Sequence, residues 1–95
     1  MSLEALVSKY IDSAEHVFDE IQISETPVNL DAKSVKGVVE FAKAYLQDAK
    51  YYMDRKRFGV SLASVAYCEG LLDALRLLGL VKFEWLAEKR GKKER

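Results

Sequence analysis

Two carboxylates with helical spacing are the first residues in this 95-residue chain that could do chemistry. Glu69 and Asp73 lie four residues apart, so a helix would place both on one face. Such a pair could share a proton or give two oxygen ligands to a metal ion. Asp48 is the candidate third ligand, although the helical spacing directs it away from the core. Arg76 follows Asp73 by three residues, and an ordinary ion pair explains the same pattern without a site.

Other catalytic arrangements are missing from the sequence. The single histidine, His16, lies among acidic residues on the outer face of a predicted helix. Ser61, Ser64 and Cys68 have no base nearby in the sequence, so no activated nucleophile is indicated. The chain has no glycine-rich phosphate loop, no Cys-x-x-Cys and no His-Glu-x-x-His. We therefore expect no enzymatic activity, no catalytic residues, no cofactor and no metal site.

A basic segment with aromatic neighbours is the second candidate site. Tyrosines and a phenylalanine flank the arginines of residues 51–58, and this combination is typical of proteins that bind single-stranded nucleic acid. Lysines spaced seven residues apart on the preceding helix could extend the patch. The candidate nucleic-acid patch comprises Lys36, Lys43, Lys50, Arg55, Lys56 and Arg57. The net charge of zero gives this alternative little general support.

Three helical patterns must position these residues. Apolar side chains recur at every third or fourth position over about 3–23, 32–55 and 60–78. Asp31 is the predicted N-cap of the second helix and Gly79 the C-cap of the third. We predict an all-α, antiparallel three-helix bundle over residues 1–80.

The connections and the C-terminus are less regular. Gly59 is expected to turn the chain between the second and third helices through a left-handed conformation. Residues 81–95 are predicted to form a C-terminal extension, partly disordered, whose first part could be extended or helical. The alternation of Val81, Phe83 and Trp85 with charged residues is typical of extended backbone, whereas the spacing of Val81, Trp85 and Glu88 also fits a helix.

Composition bears on location and partners. A single cysteine permits no internal disulfide and fits a reducing cytoplasm, where we expect the protein. No apolar run approaches the roughly 20 residues of a membrane span, so we expect no membrane association. The zero net charge hides an asymmetry, because residues 1–31 hold seven acids and one base. Residues 32–81 hold eight bases and five acids.

The third predicted helix is apolar around most of its circumference. Two of its faces are expected to pack against the other helices; they comprise Ala63, Ala66, Tyr67, Gly70, Leu71, Ala74, Leu75, Leu77 and Leu78. The remaining arc mixes aliphatic and charged side chains. This candidate interaction surface comprises Leu62, Val65, Glu69, Leu72, Asp73 and Arg76. Either the C-terminal extension or a partner must cover its aliphatic residues. We expect a protein partner or a homodimer through the third helix.

The segment 35–80 resembles a known family. Ala42, Tyr45, Asp48 and Ala49, followed by the run Glu69-Gly70-Leu71-Leu72-Asp73-Ala74, are similar to archaeal domain-of-unknown-function family 357. The resemblance implies a closed three-helix bundle and an accessory module beside nucleotidyltransferase-like domains, with no established activity. The basic turn departs from the family pattern, so the resemblance implies no role for it.

A weaker likeness is to helical partners of minimal nucleotidyltransferases, some of which are ribonucleases. Those nucleases need an arginine shortly before a histidine, and no arginine precedes His16. The function predicted from the sequence is therefore a non-catalytic protein-interaction or accessory module.

Overall fold

The architecture is all-α. A computed structural model describes residues 2–86, and within them the chain forms α1 (Leu3–Glu20), α2 (Ala32–Asp54) and α3 (Phe58–Leu77), with no strand. The all-α prediction is confirmed. The end of the predicted extension, residues 87–95, lies outside the described residues.

Side-chain caps define where α1 and α2 begin. The Ser2 hydroxyl oxygen accepts a hydrogen bond from the Ala5 backbone N–H at 3.0 Å, and Asp31 Oδ1 accepts one from the Ser34 N–H at 2.8 Å. These bonds satisfy N–H groups that the helix itself leaves unpaired. The Ser34 backbone N–H, followed by its hydroxyl, stabilises the charged carboxylate and lowers the pKa of Asp31.

Helices α2 and α3 pack side by side as an antiparallel hairpin. The core between them is small and consists of Ala42, Ala49, Cys68 and Leu75, with Ala42 only 1% exposed. The two alanines allow the helix backbones to approach closely. Across the pair, the Ser61 hydroxyl donates to the Ala49 carbonyl at 2.7 Å. This register places Ala42 level with Cys68.

The same turn motif ends both helices of the hairpin. At the end of α2, the Lys56 N–H donates to Met53 O and the Arg57 N–H donates to Tyr52 O, both at 2.9 Å. This is a Schellman motif, and it requires a left-handed residue at Lys56, whose φ is 62°. The expectation that Gly59 makes this turn is wrong, because α3 already begins at Phe58 and Gly59 lies inside its first turn.

The end of α3 follows the expectation. The Gly79 N–H donates to Arg76 O at 2.9 Å and the Leu80 N–H donates to Leu75 O at 3.0 Å. Gly79 has a φ of 75°, which a residue without Cβ adopts at no steric cost. Gly79 is thus the terminator that the sequence predicts.

Helix α1 makes no packing contact with α2 or α3. Residues 21–31, which include Thr26-Pro27, form no helix and separate α1 from the hairpin. Every residue from Ser2 to Asp31 is exposed. Helix packing within the described residues is therefore confined to α2 and α3, and the predicted contacts of the first helix with the other two are not made.

The first part of the C-terminal extension is extended. Residues 81–85 are not helical, and burial alternates along them, with Val81, Phe83 and Trp85 half-buried while Lys82 and Glu84 are exposed. This period of two is typical of extended backbone lying on a surface. The extended alternative for these residues therefore holds.

Candidate functional site

One side of the hairpin is a continuous apolar surface. We call it the open face and define it by Phe41, Tyr45, Tyr67, Leu71 and Leu78. The Tyr45 and Tyr67 ring centroids lie 4.3 Å apart across the two helices, and those of Phe41 and Tyr45 lie 6.3 Å apart along α2. Leu71 and Leu78 follow Tyr67 by four and eleven residues, so all three share one side of α3. Phe41 is 63% and Leu78 69% exposed.

The opposite side of α3 is covered by the chain itself. The Arg76 guanidinium lies 5.0 Å from the centre of the Phe83 ring, and Phe83 meets Trp85 edge-on at 4.8 Å. Trp85, Glu69, Gly70 and Asp73 line a shallow pocket of about 230 Å³. The C-terminal extension therefore lies over the charged part of the predicted interaction surface.

The residues predicted for that interaction surface have different environments. Asp73 Oδ1 and Arg76 Nη2 form an ion pair at 3.2 Å, although their alignment is too poor for a hydrogen bond. Val65 and Leu72 are half-buried, and Leu62 is exposed. The structure thus brings the charged residues together beneath the extension, while Leu62 stays open to solvent.

The small residues of α3 do not pack in the way the sequence suggests. The stripe expected to face the other helices is exposed throughout; it comprises Ala63, Ala66, Gly70, Ala74 and Leu77. A Cβ at Gly70 would meet nothing within 4 Å, and Leu77 is 81% exposed. The reason is that the side of α3 carrying Cys68 and Leu75 packs against α2, while α1 lies elsewhere.

The candidate catalytic groups differ in their surroundings, since Cys68 is buried while Glu69 and Asp48 are exposed. Among the described residues, no group of three or more His, Cys, Asp or Glu side chains could hold a metal ion. Burial raises the pKa of the Cys68 thiol, and the neighbouring Glu69 carboxylate raises it further. This keeps the thiol protonated and poorly nucleophilic.

The basic turn between α2 and α3 is an arrangement of stacked cations. The Arg55 guanidinium lies 4.2 Å from the centre of the Tyr51 ring, and that of Arg57 lies 5.3 Å from the centre of the Tyr52 ring. Cation–π contacts of this kind hold a guanidinium in place at the surface. With Lys56, the two arginines form a compact basic tip on the hairpin.

The lysines that could extend the basic tip lie along α2. Lys43 forms an ion pair with Glu40 at 3.5 Å. Lys36 and Lys50 are exposed. The part of the candidate patch that the structure gathers most closely is therefore the turn itself.

The exposed apolar side of α1 is the feature that the sequence interpretation missed. Leu3, Val7, Tyr10 and Val17 recur at helical spacing and are all exposed, as is the adjoining Phe18. Sequence reasoning assigned this side to the core of a bundle. One signal is consistent with a separate helix: the long connection through Thr26-Pro27.

Helix α3 also meets the length and composition of a membrane span, contrary to the expectation that no segment does. Its most apolar window has a mean hydropathy of 1.3, and 11% of that window is buried. Core helices of soluble proteins pass the same test when they are mostly buried, whereas α3 is mostly exposed. The helix also carries Glu69 and Asp73, and an aspartate costs about 2.5–3.5 kcal/mol near the centre of a bilayer.

Taken together, the described chain is a helical hairpin with an amphipathic helix attached through a long connection. A family model described as "Protein of unknown function (DUF357)" matches residues 9–81, so the chain belongs to the DUF357 family. The match begins within α1 and includes the whole hairpin. No curated protein and no solved structure matches the chain. Because the function of this family is unknown, membership does not indicate an activity.

Proposed function

We propose that this protein is a non-catalytic interaction module whose open face binds another polypeptide chain. The supporting observation is the Tyr45–Tyr67 contact, which joins a half-buried ring of α2 and an exposed ring of α3 into one surface. Contiguous apolar surface of this kind on a small protein is typical of interaction sites. Aromatic side chains contribute most to such sites, since each buries a large area with little loss of rotamer freedom.

The non-catalytic part of the proposal has separate support. Asp73 is paired with Arg76, and the raised pKa of Cys68 keeps its thiol neutral. Neither group is poised as a base or a nucleophile. Of the two carboxylates with helical spacing, Asp73 is ion-paired and Glu69 is exposed.

The identity of the bound chain is a further step. The family resemblance implies an accessory module, and a nucleotidyltransferase-like protein is the partner class that follows from it. A helical hairpin with an apolar side suits such a role, because an amphipathic helix of another chain can lie along two adjacent helices.

Binding of an apolar dye together with sedimentation velocity tests the proposed function. We expect the wild-type chain either to associate or to bind anilinonaphthalene sulfonate, and Tyr67→Glu to weaken both. Gln47→Glu, at an exposed polar position on α2, is the matched control. A wild-type monomer that binds no dye has no accessible apolar face, and this result would reject the proposal.

A second candidate function is favoured by the basic turn. The Arg55–Tyr51 and Arg57–Tyr52 contacts present positive charge beside stacking surfaces, which is the combination that binds single-stranded nucleic acid. If this alternative is correct, fluorescence anisotropy detects binding of a single-stranded RNA oligonucleotide to the chain. The affinity for the RNA falls as the salt concentration rises. Replacing both arginines with alanine abolishes that binding, while Lys33→Ala has a small effect. No binding at low salt excludes the alternative.

A further inference from the structure

We propose that the open face of each chain binds α1 of a second copy, so that two copies exchange their first helices. The proposal rests on the proposed function, because it names the polypeptide that the open face takes. It brings together two exposed apolar features of the described residues: the apolar side of α1 and the open face of the hairpin.

The dimensions of α1 match those of the open face. An 18-residue helix is about 27 Å long, and α3, with 20 residues, is about 30 Å long. The apolar side of α1 presents Leu3, Val7, Tyr10 and Val17 at the spacing with which helices anchor in a groove. The aromatic side chains of Phe41, Tyr45 and Tyr67 offer surface of the same chemical kind.

Charge favours the same pairing. Residues 1–31 carry seven acids against one base, whereas residues 32–81 carry eight bases against five acids. The acids of α1 lie mainly away from its apolar side, at positions that include Asp12, Glu15 and Asp19. Because the docking element is negative and the receiving hairpin is positive, the two attract each other. Two hairpins, or two copies of α1, carry like charge and would repel.

The accessible surface indicates how much a second copy could cover. The chain exposes 8596 Å², whereas a compact monomer of 10.8 kDa exposes roughly 5,500 Å². The excess of about 3,000 Å² includes the connection and all sides of α1, so only part of it belongs to the two apolar faces. A standard interface takes roughly 800 Å² from each partner, and two docking events, one in each direction, would draw on this exposed surface.

The connection between α1 and the hairpin permits the exchange. Residues 21–31 form no helix and can span up to about 36–40 Å when extended. This reach is comparable with the 43 Å longest dimension of the chain. Since α1 makes no contact with the hairpin of its own chain, it is available to a second copy, and exchange of an identical element between protomers is a low-cost route to dimers.

Complementation between two full-length variants tests the exchange. Tyr10→Glu places a charge on the apolar side of α1 and leaves the open face intact. Tyr67→Glu places a charge on the open face and leaves α1 intact. We expect the wild type to be a dimer and each variant alone to dissociate at least about tenfold more readily. Ser8→Glu, on the polar side of α1, is the control that stays dimeric.

The mixture of the two variants gives the decisive result. The intact α1 of the Tyr67→Glu chain can dock on the intact open face of the Tyr10→Glu chain, so a heterodimer forms. Native mass spectrometry with one chain labelled with ¹⁵N distinguishes it from either homodimer. Far-UV circular dichroism checks that each variant is folded, and Leu78→Glu replaces Tyr67→Glu if the latter is not.

Each other outcome overturns the exchange. A wild-type dimer whose variants do not complement each other is held together by different surfaces, and the proposed function stands. If the wild type is a monomer that binds the apolar dye, the open face is accessible but a second copy does not occupy it. Its partner is then a different protein, such as a nucleotidyltransferase-like protein. A wild-type monomer that binds no dye has covered its own face, and then both the exchange and the proposed function fail.

Discussion

The rings of Tyr45 and Tyr67 lie 4.3 Å apart and are tilted by 34° to each other across the groove between α2 and α3. This contact links the exposed Phe41 on one helix and the half-buried Leu71 on the other into one surface. The hairpin therefore has two unlike sides, because the C-terminal extension covers the Asp73 and Arg76 side while the tyrosine side stays open.

Replacing Ala42 with leucine should separate the helices of the hairpin. Ala42 is the most buried side chain described and lies level with Cys68 on α3. Added methyl groups at this point force the backbones apart, at a cost of about 1–3 kcal/mol in the free energy of unfolding. Urea denaturation of Ala42→Leu measures the loss. Ala44→Leu, at an exposed position of the same helix, is the control, and an equal loss in both would contradict the role assigned to Ala42.

Replacing Lys56 with glycine should stabilise the hairpin. Lys56 has a φ of 62°, and a left-handed residue with a Cβ costs roughly 1–2 kcal/mol that glycine avoids. The gain should be about 1 kcal/mol in the free energy of unfolding, offset in part by the greater freedom of glycine in the unfolded chain. Gly79→Ala is the converse variant at the other Schellman motif and should destabilise. Stabilisation by both substitutions would be inconsistent with these turns.

The start of α2 should lose stability in acid. The pKa of Asp31 is lowered in the folded chain by its hydrogen bonds from Ser34, so the folded state favours the charged carboxylate. Its contribution is present above the unfolded pKa of about 3.9 and is lost as pH falls through the lower folded pKa. Asp31→Asn keeps a capping oxygen but cannot titrate. Thermal midpoints measured between about pH 2 and pH 6 should therefore fall less in Asp31→Asn than in the wild type; parallel curves would contradict the assignment.

The thiol of Cys68 should resist alkylation until the hairpin opens. Burial and the Glu69 carboxylate both raise its pKa, and the reactive form is the thiolate. Iodoacetamide should modify the folded chain far more slowly than the chain unfolded in urea. Ala63→Cys in a Cys68→Ser background supplies an exposed thiol on the same helix and should react rapidly when folded. Equal rates at the two positions would show that Cys68 is not enclosed.

Local signals in the sequence predict the ends of the helices better than their packing. Asp31 and Gly79 cap helices as expected, because capping depends on neighbours within a few residues. The left-handed conformation of Lys56 carries no such signal, since lysine has no preference for it. Glycine is the residue that most often adopts this conformation, so the nearby Gly59 leads to the wrong prediction.

The packing of α3 shows a different limit. Periodicity places Tyr67, Leu71, Leu75 and Leu78 on one face, but the structure buries Leu75 against α2 and leaves Tyr67 and Leu78 exposed. Periodicity therefore does not say which neighbour each residue meets. The small residues around Gly70 predict a close helix contact, and the structure leaves this side exposed because α1 does not pack against the hairpin. A helix joined by a long connection can pack on its own chain or on another surface. Periodicity does not show which of these surfaces it binds more strongly.

The mass of the complex in an equimolar mixture of the Tyr10→Glu and Tyr67→Glu chains tests the central claim most directly. If α1 of one copy docks on the open face of another, native mass spectrometry shows a heterodimer although each variant alone is mainly monomeric. Two populations of monomers in the mixture, with both variants folded and the wild type dimeric, would contradict the exchange.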